Sequence, residues 1–231
     1  MSPVARRRLL LAAGAFPWLG VSAARAQSTR RAVSVGGAVT EIVYAVGAGS
    51  SLVGADSTST FPAQAEKLPR VGYMRQLSAE GVLSLKPDLL VATAEAGPPA
   101  VLSQIESTGV PVHRLAVRHS IESLRDNVRE VAGVFGVPDA GRHVIAEIDA
   151  QWAKARARVA AAPGKPRVLF VLAHGGGAPM VAGDGTAAEA MIAYAGGVNA
   201  VRGMQGYKPL TAEAALAAAP DVILITQQGL D

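Results

Sequence analysis

Residues 72–93, GYMRQLSAEGVLSLKPDLLVAT, and residues 206–226, GYKPLTAEAALAAAPDVILIT, are two versions of one stretch of sequence. From Leu77 and from Leu210 onward the copies align without a gap as Leu-(Ser/Thr)-Ala-Glu-x-x-Leu-x-x-x-Pro-Asp, followed by four mostly apolar residues and Thr. A match at so many fixed positions indicates an internal duplication. The duplication predicts two lobes built on one plan, and a cleft between two lobes is a common place for a ligand to bind.

Short apolar segments alternate with segments of helical spacing along the chain. This alternation predicts an α/β fold in which a parallel sheet is covered on both faces. Between residues 120 and 162 the apolar residues keep helical spacing, which predicts a mostly helical connection between the lobes. The predicted strands are residues 32–35, 52–55, 89–92, 110–112 and 168–172.

These patterns divide the chain into four predicted parts: a signal peptide (1–26), an N-terminal α/β lobe (27–118), a helical connector (119–164) and a C-terminal α/β lobe (165–231). After Thr93 the first lobe continues with another helix and strand, whereas five residues follow Thr226. Comparison of the copies therefore leads us to expect that the second lobe is incomplete by roughly 25 residues at its C-terminus.

Residues 1–26 have the organisation of a secretory signal. Arg6, Arg7 and Arg8 precede an apolar stretch that ends in Ala24-Arg25-Ala26, a small-x-small pattern typical of cleavage before Gln27. This predicts an exported protein with a cleaved signal, with a membrane anchor as the alternative interpretation. The paired arginines leave open whether export follows the Sec or the twin-arginine route.

The net charge of +4 does not describe the mature chain. Residues 1–26 hold four of the 22 Lys and Arg residues and no acid, so 18 bases and 18 acids remain. Nucleic acid binding would require a clustered basic face, and we expect no nucleic acid partner. The chain contains no cysteine, which excludes thiolate chemistry.

Tyr73 is the first candidate for a functional residue, because it lies in a polar loop directly before the first-copy helix. A phenolate is a hard oxygen donor suited to ferric iron, and Tyr is one of the axial ligands of haem. A cation such as Arg75 would stabilise the phenolate. The alternative is a loop tyrosine that packs on the surface.

His174 is a candidate for a second axial ligand, because it follows the predicted strand 168–172 at the edge where α/β sheets bind ligands. It could instead be a loop histidine held by hydrogen bonds. The sequence His174-Gly175-Gly176-Gly177 also occurs in the oxyanion hole of some esterases. Those enzymes require a Gly-x-Ser-x-Gly nucleophile elbow, which this sequence lacks. We keep a secreted α/β hydrolase as a remote alternative.

Other candidates come from the duplication and from glycine pairs. Tyr207 matches Tyr73 in the repeat and is expected to face the same cleft. Gly36 and Gly37 could offer backbone N–H groups to an anion such as a carboxylate, or could simply form a turn. The matching acids of the two copies, Glu80 and Glu213, either stabilise their helices or form a paired dock for a two-fold-symmetric partner that carries arginines.

The most specific stretch of the sequence is VGYMRQLSAEG, at residues 71–81. Together with residues 206–210, it resembles the haem-binding subfamily of the periplasmic substrate-binding proteins for iron, siderophore and cobalamin ABC importers. The resemblance runs from about residue 31 to the end. It implies the class III periplasmic-binding-protein architecture, in which two Rossmann-like lobes are joined by a long helix. It also implies one or two haems between the lobes.

The resemblance assigns roles to residues. It implies that Tyr73 ligates the haem iron. A second-lobe histidine, for which His174 is the candidate, adds a ligand in some relatives. Met74 and Arg75 are further candidates for the haem pocket, where Arg75 could stabilise the phenolate or a propionate. One glutamate per lobe, at the positions of Glu80 and Glu213, would dock on an inner-membrane ABC permease dimer.

The function that follows is non-enzymatic. We expect a monomeric periplasmic protein that binds haem as a transported ligand and delivers it to an ABC permease for iron acquisition. No metal other than haem iron is expected. The main alternative is a ferric-siderophore or cobalamin-binding protein of the same fold.

Overall fold

The first lobe is built around a four-stranded parallel sheet in the computed structural model, which describes residues 30–172 and 179–226. In chain order the elements of this lobe are β1 (Ala32–Val35), α1 (Gly37–Ala45), β2 (Leu52–Ala55), β3 (Gly72–Tyr73), β4 (Gln76–Leu77), α2 (Ala79–Ser84), β5 (Leu89–Thr93), α3 (Pro99–Ser107) and β6 (Val112–Leu115). Across the sheet the strands lie side by side in the order β2, β1, β5, β6.

This sheet is covered on both faces, as the apolar strands predicted. Successive residues of β5 point in opposite directions, so Val91 packs with α1 whereas Leu90 and Ala92 pack with α2 and α3. All of β1 and β5 is buried. A strand of a parallel sheet needs apolar side chains on both faces, which explains the continuous apolar sequence.

The predicted connector forms two helices, α4 (Ile121–Val134) and α5 (Pro138–Ala161). Helix α4 packs its apolar face into the core of the first lobe, where Val128 and Val131 are buried. Helix α5 packs on α4 where Gly141 meets Ala132, since a Cβ on the glycine would lie 2.5 Å from the alanine Cβ. Helix α5 then leads from the first lobe to the second.

The second lobe contains β7 (Arg167–Leu172), β8 (Met180–Ala182), α6 (Ala187–Tyr194), β9 (Val198–Asn199), β10 (Tyr207–Pro209), α7 (Ala212–Ala217) and β11 (Val222–Ile225). Its sheet is mixed rather than parallel: β11 and β9 pair with β7 in parallel, and β8 pairs with it in antiparallel. Seven residues separate β7 from β8, too few for a parallel crossover.

The two repeat copies fold alike. Helices α2 and α7 each have six residues, and they are capped by the hydroxyls of Ser78 and Thr211 respectively. Each helix leads to a strand that pairs in parallel with the first strand of its lobe. The residues before the two Pro-Asp pairs, Lys86 and Ala219, both have positive φ, at 48° and 42°. The prediction of two α/β lobes on one plan is confirmed.

Tyr194 of the second lobe contacts both the connector and the first lobe. The ring of Trp152 on α5 meets the ring of Tyr194 on α6 edge-on, with centroids 4.8 Å apart. The Tyr194 hydroxyl donates a hydrogen bond of 2.9 Å to the His119 carbonyl oxygen, in the loop after β6. Within the described ranges, no helix is long and apolar enough to cross a membrane.

Candidate functional site

A cavity of about 360 Å³ lies at the carboxyl edge of the first sheet. Three loops form it, those that follow β1, β5 and β6, which is where open α/β sheets place ligands. Its size falls within the range of small-molecule sites. Most of the lining is apolar, with Val39, Ile42, Leu115, Val117 and Leu124 among the residues that contribute.

Gly36 and Gly37 line this cavity as the turn from β1 into α1. Gly36 has a φ of 102°, which side-chain-bearing residues rarely adopt, and a Cβ there would lie 3.0 Å from Thr93 Cγ2. The Gly36 N–H donates to Asp56 Oδ1 at 2.8 Å, and the Gly37 N–H donates to Thr58 Oγ1 at 3.1 Å. Both amides are therefore used by side chains of the protein.

Asp56 organises the wall behind the two glycines. Its side chain is fully buried. Besides the Gly36 amide, Oδ1 accepts a hydrogen bond from Ser59 Oγ at 2.7 Å, and Oδ2 accepts from the amide and hydroxyl of Thr58 at 2.9 and 2.6 Å. A buried carboxylate that accepts four hydrogen bonds is fully satisfied, so it fixes these loops in one arrangement.

Tyr73 is positioned by the β3–β4 hairpin, whose turn is Met74-Arg75. The Met74 carbonyl oxygen accepts a hydrogen bond from the Gly97 amide at 2.9 Å, which ties the turn to the loop after β5. Met74 lines the cavity. Tyr73 precedes Met74 in the hairpin, is 40% exposed, and is not itself among the described residues that line the cavity. Its hydroxyl is linked to the lining through Arg75, which also bonds to the lining residue Glu95, so the phenol is open to a ligand at the edge of this site.

The Tyr73 oxygen is held by a cation. Arg75 Nη1 donates a hydrogen bond to it at 2.9 Å, and Arg75 Nη2 bonds to Glu95 Oε2. The hydrogen bond to Tyr73, followed in importance by the charge of Glu95, raises the pKa of Arg75 above its ordinary value, against the effect of partial burial. Glu95 itself lines the cavity. The guanidinium thus stays charged and would stabilise a Tyr73 phenolate.

Tyr207, a candidate from the second lobe, lies elsewhere. Tyr207 in β10 lines a different cavity, of about 490 Å³, on the second sheet, together with Phe170, Met191 and Leu224. Among the described residues, Tyr207 is not part of the lining of the 360 Å³ cavity of the first lobe. His174 falls within residues 173–178, outside the described residues, and its role stays a prediction.

Glu80 and Glu213 occupy the same place in the two copies, the second residue of a short helix, and both are exposed. A hydrogen bond from its own amide and another from the Thr211 hydroxyl lower the pKa of Glu213. The pair is thus available to a partner, although each acid also suits the positive end of its helix.

Sequence reasoning missed several residues at this site. Asp56, Glu95 and Asn127 lie far apart in sequence and follow no motif, so no local signal marks them. Arg118 and His119 line the cavity from the loop after β6, which lies at the start of the predicted connector. Their position at the carboxyl end of a parallel strand was the available signal.

Comparison with known proteins places these features in a family. A model of the family described as Periplasmic binding protein matches residues 33–231. The chain is similar to the structure of the periplasmic haem-binding protein BhuT in complex with two haems, with 49% identity, a TM-score of 0.83, and 87% of this chain and 78% of that chain covered. The apo form of the periplasmic haem-binding protein RhuT from Roseiflexus sp. RS-1 gives 42% identity and a TM-score of 0.83 over the same shares.

Among curated proteins the chain is similar to a vitamin B12-binding protein of Vibrio campbellii, with 28% identity over 122 residues. Those residues are 53% of this chain and 44% of the relative, so the match spans less than half of that protein's length.

Proposed function

This chain belongs to the periplasmic binding protein family, and we propose that within it the protein binds haem and delivers it to a membrane permease. Two solved haem-binding proteins resemble the chain over most of its length, and their sequence identity exceeds that of the vitamin B12-binding relative. These likenesses support haem as the transported ligand. The residues that would bind haem follow from the geometry of the site.

The observation that carries the proposal is the contact between Arg75 and Tyr73. A phenolate oxygen is a ligand for ferric haem iron, and a guanidinium that donates to the same oxygen favours the deprotonated form. The oxygen retains a lone pair for the metal while it accepts this hydrogen bond. Glu95 holds Arg75 in place, so the phenol and its cation form a preorganised unit.

The cavity beside Tyr73 would cover part of the porphyrin. Its lining is mostly apolar, and removal of apolar surface from water contributes about 25 cal/mol per Å². Met74 is part of this lining and is adaptable in shape. Apolar burial then supplies most of the affinity, and the bond to iron supplies the selectivity.

A histidine from the second lobe would complete the iron site, and we propose His174 for this role. An imidazole added to a tyrosinate would shift the ferric spectrum toward a low-spin form. Replacing His174 by Ala should abolish that shift. The matched variant, His119→Ala, alters an exposed cavity histidine of the first lobe and should preserve it.

Delivery would follow from docking of a monomer, in the periplasm, on a permease dimer through Glu80 and Glu213. Their equivalent places in the duplicated structure suit a two-fold-symmetric partner. Arginines on that partner would pair with the two exposed carboxylates. Separation of the lobes would then loosen the site, a role that needs no catalytic residue.

The vitamin B12-binding relative favours cobalamin as the second candidate ligand. Titration of the purified protein with haemin and, separately, with cyanocobalamin distinguishes the two. Saturable binding of haemin with a tyrosinate-type ferric spectrum supports the proposal. Saturable binding of cyanocobalamin without binding of haemin would replace it.

A further inference from the structure

Arg118 lies on the loop of residues 116–120, which runs from β6 to α4 along the mouth of the 360 Å³ cavity. The loop is fixed at three points. Asn127 Nδ2 donates to the Ala116 carbonyl at 3.0 Å, the Ser120 amide donates to the Arg118 carbonyl at 2.8 Å, and the hydroxyl of Tyr194 donates to the His119 carbonyl. The backbone that carries Arg118 is therefore held from both lobes.

The guanidinium of Arg118 is a charge without a partner. Within residues 30–172 and 179–226 it makes neither a hydrogen bond nor an ion pair, and its side chain is exposed. Neighbouring arginines on α4 differ: Arg125 pairs with Asp149, and Arg129 pairs with Asp126. Among the described residues that line the cavity, Arg118 is thus an arginine without a partner.

The charges around the cavity favour the loop of residues 116–120 as the place for an anion. Glu95, an acid of the lining, is already paired with Arg75. The amides of Gly36 and Gly37 donate to side chains of the protein. Asn127 Oδ1, also in the lining, is a buried acceptor without a partner and offers no positive charge. Arg118 and His119 remain among the described lining residues, and Arg118 is the one whose charge does not depend on pH.

We propose that the Arg118 guanidinium binds a propionate carboxylate of haem at the mouth of this cavity. The inference rests on the proposed function, because it takes haem to be the ligand. A planar fork of N–H donors matches the two oxygens of a carboxylate, and such charge-assisted bonds are stronger than neutral ones. The apolar lining would hold the ring while Arg118 fixes its orientation.

The test compares two ligands on three variants. Haemin carries free propionates, whereas haemin dimethyl ester carries none, and both can be titrated in one detergent-containing buffer. For Arg118→Gln we expect haemin affinity to fall roughly tenfold and dimethyl ester affinity to stay unchanged. Arg129→Gln, a paired arginine away from the cavity, should change neither. Arg118→Lys should recover part of the loss.

Two results would overturn the inference: equal weakening of both ligands in Arg118→Gln, which indicates a packing role, or no weakening of haemin. Failure of the proposed function looks different, because the unsubstituted protein would then bind neither ligand.

Discussion

Arg31 and Arg167 make the same set of contacts in the two lobes. Each stands at the start of its lobe's first strand, and its amide donates to an aspartate, Asp88 Oδ2 at 3.1 Å and Asp221 Oδ2 at 2.7 Å. Each guanidinium donates to carbonyls after the short helix, with Nη2 2.7 Å from Leu85 O and from Ala218 O respectively. The duplication therefore includes an arginine that lies outside both sequence copies.

Arg31→Ala should destabilise the protein by about 1 to 2 kcal/mol, because two backbone carbonyls at the end of a helix lose their charged donor. Urea unfolding at equilibrium measures the change. Arg30→Ala, an exposed neighbour, is the control and should stay within about 0.5 kcal/mol of the parent. Equal stability of the two variants would contradict the role given to Arg31.

Asp56→Asn should destabilise the protein by about 2 to 4 kcal/mol, since an amide NH₂ would replace an oxygen that now accepts buried hydrogen bonds. Thermal unfolding followed by circular dichroism detects this. Asp126→Asn, which changes an exposed acid on α4, is the matched control and should have little effect. A parental melting curve for Asp56→Asn would show that the loops do not depend on this carboxylate.

Arg75→Gln should weaken haemin binding roughly tenfold, because the phenolate loses its charged donor. The hydrogen bond to Tyr73 is the largest cause of the raised pKa of Arg75, which shows how closely the two side chains interact. Haemin titration of the parent and the variant measures the change, with Arg129→Gln, a paired arginine of α4, as the control. Equal haemin affinity of Arg75→Gln and the parent would exclude the role of Arg75.

Glu80→Arg and Glu213→Arg should each reduce binding to the cognate permease, because a cation would face the partner's arginines. Haemin affinity should be unchanged, since both acids lie on exposed helix starts. Glu41→Arg, an exposed acid of α1, is the control. Co-purification with the solubilised permease provides the measurement. Undiminished binding by both variants would show that docking uses another surface.

The elements that could be predicted from sequence are those with a repeated or periodic pattern. The copies that begin at Leu77 and Leu210 correctly indicated matching helices and strands, and the apolar strand of residues 89–93 indicated burial on both faces. The pattern after Gly109 predicts a strand that opens at residues 110–112, and the strand runs from Val112 to Leu115. Pro111 has no N–H to donate to the sheet, which suits a position just before the strand.

The parts that sequence missed depend on contacts between distant residues. Asp56 is buried only because Gly36, Thr58 and Ser59 converge on it in space. The hairpin that holds Tyr73 has strands of two residues, too short for any periodicity. The second sheet is mixed because β8 pairs with β7 in the antiparallel direction.

The ferric absorption spectrum of the haemin complex of Tyr73→Phe tests the central claim most directly. This substitution keeps the ring and removes only the hydroxyl, and Tyr207→Phe is the matched control from the second repeat copy. We predict that Tyr73→Phe loses the tyrosinate-type spectrum and that Tyr207→Phe retains it. An unchanged spectrum and affinity in a folded Tyr73→Phe protein would contradict the assignment of Tyr73 as the iron ligand.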